Sequence, residues 1–216
     1  MGRCKDIVIK PISAKDANRI IKTIHYSGKV VPNSKIHFGI FLDGKCGGAL
    51  SYGSSLNKKG TMRLVEGTGW NDFIELNRMA LAEWLPRNSE SRCIAISLKL
   101  LKKNYPHLNW CISFADGTQC GDGAIYRATG FVLTDIRKNT NIKYNPKTGE
   151  QMHTIQAYHK KMSKEFVRDW VNMEGYQFRY VYFWEDKWRK RLTVDEIPYS
   201  RIDELGDGMY KGEARS

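Results

Sequence analysis

Two short stretches bring together residue types that can move protons. Ile112-Ser113-Phe114-Ala115-Asp116-Gly117 reads as an apolar strand ending in a carboxylate and a glycine turn, and Ile125-Tyr126-Arg127-Ala128-Thr129-Gly130-Phe131 as a short helix carrying a phenol. Acyl transfer to a nitrogen needs a base that takes the nucleophile's proton and an acid that protonates the leaving group. Asp116 suits the first role and Tyr126 the second. Ser113 points to the face of the strand opposite Phe114 and offers a hydroxyl. Taken singly, an Asp before Gly is more often a turn residue and a helical Tyr more often packing. Their joint position, at the end of a strand and on the helix that follows, gives the chemical reading its weight.

A second candidate lies after Leu85, in Pro86-Arg87-Asn88-Ser89-Glu90-Ser91-Arg92. Asn88 and Ser89 are good helix N-caps, and the first N–H groups of a helix lack internal partners. Such a helix start binds anions, and Arg87 and Arg92 would reinforce it for a phosphate or pyrophosphate. A plain capped helix with surface arginines explains the same residues, and without a G-x-G-x-x-G run the local sequence favours it. His25 ends a helix at Tyr26-Ser27-Gly28, where a protonated ring would complement the helix C-terminus. His37 alternates with Phe38 in a strand, so one of the two faces out. With nearby tyrosines these histidines could line a base pocket. No metal-ligand spacing supports a metal there, and the metal is left as unknown.

The elements that must position these residues follow from periodicity. Asp6–Ile12 alternates as a first strand. Ser13 caps a helix with Asp16 as the acid reaching back, and Ala17, Ile20, Ile21 and Ile24 form its buried stripe. Ile36–Leu42 and Cys46–Tyr52 flank Asp43-Gly44, a hairpin signal because both residues tolerate positive φ. Residues 53–69 read as a long polar loop and Phe73–Leu81 as a strand. A helix then runs to about Asn104, stopped by Pro106, with Ile94, Leu98 and Leu101 inward and Lys99, Lys102 and Lys103 outward. Trp110–Phe114 is a strand, Ala124–Thr129 a short helix and Phe131–Asp135 a strand. This order, β-α-β-β-β-α-β-α-β, is an α/β pattern with a hairpin in its first half. Beyond it, Asn139–Gly149 reads as a surface loop and Thr154–Tyr158 as a returning strand. Ser163 opens a helix through Phe166, Val167 and Trp170 to about Gly175. Phe178–Leu192 reads as an aromatic hairpin turning at Glu185-Asp186.

The chain has 216 residues, room for one sizeable domain or a domain with an appendage. No apolar run approaches membrane-spanning length, and the N-terminus lacks the apolar core of a signal peptide. Five cysteines, an odd number with no C-x-x-C, speak against a disulfide framework or structural zinc and point to a reduced, cytoplasmic protein. Lys and Arg number 35 against 23 acids, a net charge of +12, which favours a polyanionic partner and nucleic acid first. Solubility alone could explain that excess, so its distribution matters. Phe178–Leu192 interleaves Tyr180, Tyr182, Phe183, Trp184 and Trp188 with cations that can neutralise phosphates, while rings stack on unpaired bases. A packed aromatic sub-core accounts for the rings equally well, which leaves Lys187, Arg189, Lys190 and Arg191 as the stronger DNA candidates.

Tyr126-x-x-x-Gly130-Phe131, set between strands, resembles the Y-x-x-x-G-F segment of the GCN5-related N-acetyltransferase (GNAT) superfamily, and the element order matches. The resemblance implies a GNAT-like mixed central sheet flanked by helices, with a C-terminal helix and aromatic-basic hairpin added, and Tyr126 as general acid beside the donor's sulfur. The superfamily's Q/R-x-x-G-x-G/A pyrophosphate loop is absent, and Arg87–Arg92 stands in its place, a departure that bears on ordinary coenzyme A binding. A narrower set of motifs runs in series: His25-Tyr26-Ser27-Gly28-Lys29 with Val31-Pro32, His37-Phe38-Gly39, Gly47-Gly48-Ala49-Leu50-Ser51-Tyr52-Gly53, Glu75-Leu76-Asn77-Arg78-Met79-Ala80-Leu81, Asn88-x-Glu90-Ser91-Arg92, Ser113-Phe114-Ala115-Asp116 and Gly123-x-Ile125-Tyr126. Together they are similar to the Mom family, phage proteins related to the GNAT fold that modify adenine in phage DNA against restriction. The likeness covers roughly Ile24 to Phe131.

What this implies is transfer of a carbamoylmethyl-type group to N6 of adenine. It places the donor at Arg78, Asn88, Ser89, Ser91 and Arg92, and the substrate at His25, Tyr26, His37, Tyr52, Lys187, Arg189, Lys190 and Arg191. A carbamoylmethyl group is isomeric with glycyl, and plain acetyl transfer does not give it. The expected donor is therefore acetyl-CoA or a glycine-derived donor such as glycyl-tRNA. The expected partner is double-stranded DNA with the target adenine flipped out, with tRNA a second partner if it carries the donor. The C-terminal hairpin serves a homodimer contact as readily as a DNA clamp. The expected layout is a transferase domain over 1–160, a C-terminal helix and hairpin over 161–205 and a loose tail over 206–216, in the cytoplasm of a bacterial host. Two rivals stand beside this reading: a GNAT acyltransferase for protein or small-molecule amines, and an inactive GNAT-like DNA-binding protein.

Overall fold

The chain folds in the order β1 (Val8–Pro11), α1 (Ala14–Ile24), β2 (Ser34–Leu42), β3 (Lys45–Gly53), α2 (Lys58–Met62), β4 (Phe73–Leu81), α3 (Ser89–Asn104), β5 (Trp110–Asp116), α4 (Ala124–Arg127), β6 (Val132–Lys138), β7 (Ile142–Tyr144), β8 (Gln151–His153), β9 (Val171–Asn172), β10 (Tyr176–Phe183), α5 (Asp186–Arg189), α6 (Ser200–Glu204), β11 (Met209–Tyr210) and β12 (Glu213–Ala214). The structure is a computed structural model that describes residues 2–118, 121–154 and 169–205, and the backbone of 209–210 and 213–214.

Local signals explain the first elements. Ser13 Oγ accepts from the Asp16 N–H at 3.1 Å, and its own hydroxyl donates to the Asp16 carboxylate at 2.7 Å. The short acid thus takes the cap's hydroxyl instead of reaching its backbone. α1 packs on β3 and β4 through Ala17 and Ile21, with Ile20 and Ile24 alongside. Asp43 and Gly44 turn at φ 51° and 75°, so β2 and β3 pair as the expected antiparallel hairpin.

The main sheet has seven strands in the order β1-β2-β3-β4-β5-β10-β6. The first four pair antiparallel, and β4 pairs parallel with β5. That parallel pairing covers only Phe73–Trp110, Ile74–Cys111 and Glu75–Ile112, although β4 runs on to Leu81 and β5 to Asp116. A core of Leu64, Val65, Phe73, Trp110, Ile112, Val132 and Val181 lies at this junction, with Trp110 stacked on Phe73 at 4.4 Å.

The chain divides into two compact units: residues 1–113, 124–134 and 180–197, and residues 114–123, 135–179 and 198–216. The second holds a small sheet in the order β8-β7-β9.

Several expectations change. The loop over 53–69 contains α2, and the polar stretch over 139–149 contains β7. Phe178–Leu192 is no hairpin: β10 enters the main sheet and the chain continues as α5. Its period-2 pattern is real, but its partners are distant strands that sequence spacing cannot name. The expected strand Thr154–Tyr158 and the helix from Ser163 lie largely outside the described residues. Where description resumes, Trp170 is buried and Val171–Asn172 is strand, so no helix reaches Gly175. Lys102 does not face solvent alone; its ammonium donates to Pro106 O at 3.0 Å and Leu108 O at 3.1 Å, closing the turn after α3.

Candidate active site

Where β4 and β5 part, the first residue beyond the last pair is Ser113. Its Oγ lies 2.9 Å from the Tyr126 hydroxyl and 3.3 Å from Leu76 O on β4. Ser113 has one proton to give. When it donates to Leu76 O, the phenol can donate to Ser113 Oγ, so the two hydroxyls form a short relay that ends on the backbone of β4. Ser113 is 1% exposed and Tyr126 7%. The Tyr126 ring packs 5.1 Å from that of Tyr180 and 5.3 Å from that of Phe131, which fixes the direction of its oxygen.

The Tyr-x-x-x-Gly-Phe spacing has a local cause. Phe131 N–H donates to Tyr126 O and Gly130 N–H to Arg127 O, each at 3.1 Å, and Gly130 sits at φ 83°. These are the paired bonds of a Schellman helix end, which demand a residue free to adopt positive φ and commonly carry an apolar contact between the residues the longer bond joins. Tyr126 and Phe131 make that contact. The motif therefore stops α4 one turn after it starts and presents the phenol at Ser113.

Polar residues on β4 build the rest of this neighbourhood. Glu75 is largely buried, and burial pushes its carboxyl pKa up against weaker opposing effects of Ser55, Asn77 and Arg78. Asn77 is buried and its Oδ1 accepts from Ser34 Oγ at 3.0 Å. Arg78 donates to Lys29 O at 3.2 Å and to Asn77 O at 2.8 Å. His25 Nδ1 accepts from Ser27 N–H at 3.1 Å and faces Ser27 Oγ at 2.9 Å. Burial, with the Arg78 charge second, lowers His25 to a pKa of about 4, so the ring is neutral at pH 7 and does not act as the charged helix end that sequence suggested. Tyr26 lies beside it, ring centres 4.3 Å apart, and is 57% exposed. Sequence reasoning noted Glu75 and Asn77 only as parts of a motif. The available signal was their alternation inside Phe-Ile-Glu-Leu-Asn, polar groups on one face of a strand otherwise apolar.

Other expected site residues fall elsewhere or are already engaged. Tyr52 is fully buried with its hydroxyl 2.6 Å from Ser97 Oγ, and burial raises its pKa well above that of a free phenol. It is a core residue, close enough to Tyr126 to feel its charge. His37 is buried with Nδ1 2.8 Å from Ser51 Oγ, and burial lowers its pKa. At the start of α3, Asn88 adopts φ 68° and makes no side-chain cap. Ser89 Oγ donates to Pro86 O, Ser91 Oγ to Asn88 O at 3.3 Å and Arg92 to Lys5 O at 2.9 Å. Ser89, Ser91 and one terminal nitrogen of Arg92 are thus given to backbone carbonyls, whereas Arg92 Nε is buried without a hydrogen-bond partner, Arg87 is exposed, and Glu90 adds a carboxylate to the same first turn.

Asp116 lies in the second unit and Tyr126 in the first. Asp116 Oδ1 accepts from Thr118 N–H at 3.0 Å and Thr118 Oγ1 at 2.7 Å, an Asx turn that fixes the carboxylate. Among the basic residues, Arg189 makes two 2.6 Å bonds to Glu196, Lys187 lies 2.7 Å from Glu185 and the Arg191 guanidinium covers the Trp188 ring at 4.9 Å. Lys190 is exposed. No group of three or more His, Cys, Asp or Glu is placed to hold a metal ion among the described residues.

A model of the Mom protein family matches residues 6–201. The methylcarbamoylase Mom of Escherichia phage Mu is 35% identical over 201 residues, covering 88% of this chain and 80% of that protein. Among solved structures, Arabidopsis thaliana NAA60 in complex with a bisubstrate analogue is similar at TM-score 0.51 and 12% identity, covering 82% of this chain and 97% of that one. An IAA acetyltransferase from Bacillus cereus gives TM-score 0.50 at 12% identity, covering 82% and 99%. The fold is thus that of the acetyltransferases.

Proposed function

Because the chain belongs to the Mom protein family, we propose that it is a DNA-modifying transferase that places a carbamoylmethyl group on N6 of adenine. The observation that carries this reading is the identity to a methylcarbamoylase along most of both chains, with Ser113 and Tyr126 hydrogen-bonded where β4 and β5 separate.

The adenine amine is a poor nucleophile because its lone pair is delocalised into the ring. Its proton must leave as the bond to carbon forms, and Asp116 is the carboxylate we assign to that transfer. Tyr126 supplies the proton that the departing carrier atom needs, and Ser113 positions its phenol. His25, neutral at pH 7, Tyr26 and Arg78 form the polar wall next to β4 on which the substrate is held. Lys190 and Arg191, with Lys187 and Arg189, contribute charge toward the DNA backbone.

The donor follows from the atoms of the product. A glycyl ester, as on charged tRNA, already has the composition of a carbamoylmethyl group. Attack of N6 on its carbonyl forms an N6–glycyl amide and releases the carrier hydroxyl; isomerisation to the product then breaks the N6–carbonyl and CH2–NH2 bonds and forms N6–CH2 and carbonyl–NH2 bonds, with no net gain or loss of atoms. Nucleoside mass spectrometry of DNA from expressing cells tests the function: modified adenine is expected, and unmodified DNA overturns it. Feeding isotopically labelled glycine tests the donor, with label in the modified base expected and label only from acetyl units contradicting it.

A further inference from the structure

A cavity of about 730 Å³ opens on the first unit beside the start of β2 and α2, lined by Asn33, Ser54, Ser55, Leu56, Lys58 and Trp70 among others. Two of its polar atoms are shut away from solvent without a hydrogen-bond partner: Asn33 Oδ1 and Ser55 Oγ. Ser55 is 94% buried as a residue (6% exposed), and although its hydroxyl bears on the Glu75 carboxyl, it completes no hydrogen bond of normal geometry. Buried polar atoms are nearly always paired, and an orphan of this kind in a cavity wall marks a place for a ligand atom. The Asn33 amide nitrogen is already given to Ser54 O, so Asn33 presents an acceptor only. Ser55 can donate or accept.

The rest of the wall is built for a flat ring next to a phosphate. Trp70 is 53% exposed and Leu56 83%, an unusual cost for two large apolar side chains at one mouth. Trp70 sits at the tip of a tight turn: Gly69 N–H donates to Asp72 Oδ2 at 2.8 Å, Asp72 N–H to Gly69 O at 3.2 Å, and Asn109 N–H ties Asp72 O to β5 at 2.7 Å. The indole is therefore held on a rigid support. Lys58 Nζ lies 4.4 Å from the Trp70 ring centre, and Lys59 is exposed beside it. Gly53 borders the site, and any side chain there would collide with Asn33 and Ser34 backbone, which keeps the chain tight around the two orphans.

We propose that this cavity takes one unpaired base of the substrate DNA strand, stacked on Trp70, with its N–H edge on Asn33 Oδ1 and Ser55 Oγ and its phosphate near Lys58 and Lys59. The proposal rests on the DNA-modifying reading and names where the strand is held. It draws on groups that neither Tyr126 nor the Lys187–Arg191 segment supplies. Stacking on an aromatic side chain and neutralising one phosphate are each strong enough to be read in an affinity.

The test is a fluorescence titration of the full chain with single-stranded oligonucleotides carrying 2-aminopurine, beside nucleoside mass spectrometry of cellular DNA. Trp70→Ala is expected to weaken binding about ten-fold or more and to abolish the quenching of 2-aminopurine, while Trp70→Phe keeps most of both. Lys58→Ala is expected to weaken binding several-fold and to reduce the salt dependence by about one phosphate contact. Thermal melting confirms that each variant is folded. Wild-type protein that binds and modifies DNA while Trp70→Ala and Lys58→Ala bind equally well overturns this site and leaves the DNA reading standing. Wild-type protein that neither binds the oligonucleotide nor modifies DNA overturns both.

Discussion

The Ser113–Tyr126 region and the Lys187–Arg191 segment both carry polar groups that the sequence marks as functional, and the fold treats them in opposite ways. Tyr126 is 7% exposed, with its hydroxyl on Ser113 and its ring between Tyr180 and Phe131. The basic segment is largely exposed, and two of its four charges already face acids, Arg189 on Glu196 and Lys187 on Glu185. A buried, oriented hydroxyl can act on one atom at one position. Exposed charges shared with acids act at a distance, weakly, and less so as ionic strength rises. The proposed function therefore gives chemistry to the first region and attraction of the polyanion to the second.

The largest effect that separates them is at Tyr126. Tyr126→Phe keeps the ring packing and removes only the proton donor, so DNA modification should fall by about 100-fold or more with little loss of stability. Ser113→Ala, which leaves the phenol in place but unsupported, should cost roughly ten-fold. A Tyr126→Phe protein that modifies adenine at the wild-type rate would remove the acid from the mechanism. At the other region, replacing Lys190 and Arg191 by Glu should weaken DNA binding several-fold, most at low salt, measured as the slope of affinity against salt. Arg189→Ala should cost less DNA affinity because Glu196 already holds that charge, and the difference between the two variants measures how far pairing has silenced the segment.

Acidity probes the same contrast more gently. Unfolded, His25 protonates near its ordinary 6.5; folded, near 4. Between those values the unfolded chain binds the extra proton, so His25 contributes stability that is full above about pH 6.5 and is lost as pH falls toward 4. After allowance for its partial exposure this is about 1–2 kcal/mol, and His25→Gln should flatten the melting temperature between about pH 7 and 5. His37, also lowered by burial, contributes in the same direction. The smallest effect is expected at Tyr52. Tyr52→Phe breaks its bond to Ser97, whose hydroxyl still donates to Ile94 O at 2.8 Å, and should cost about 1 kcal/mol in denaturant unfolding with modification unchanged.

What is legible in the chain follows the range of the interactions. The α1 cap at Ser13, the Asp43-Gly44 hairpin and the Tyr126–Phe131 helix end are all closed by bonds within a few residues, and all stand where the spacing places them. Tyr126 is legible as a candidate acid and Ser113 as a hydroxyl on the strand before it, but the sequence pairs Tyr126 with Asp116; Ser113 emerges as the phenol's partner only where β4 and β5 separate. Phe178–Leu192 departs from its hairpin pattern because alternation says strand but not partner; β10 lies in the sheet beside strands far earlier in the chain. Tyr52 belongs to a motif that implies substrate contact and is nonetheless core, since only the packing of α3 shows that Ser97 meets its hydroxyl. A cap residue needs extended backbone, and Asn88 follows Pro86 in a tight turn that leaves it in the left-handed region instead.

The proposed role of the Tyr126 phenol, held by Ser113, in transfer to adenine is tested most directly by a ratio. Modified and unmodified deoxyadenosine are counted in DNA from cells expressing equal amounts of the wild-type and Tyr126→Phe chains. Abundant modified adenine is expected in the first and a fall of about two orders of magnitude in the second. Equal ratios in both, from proteins of equal stability, would contradict it.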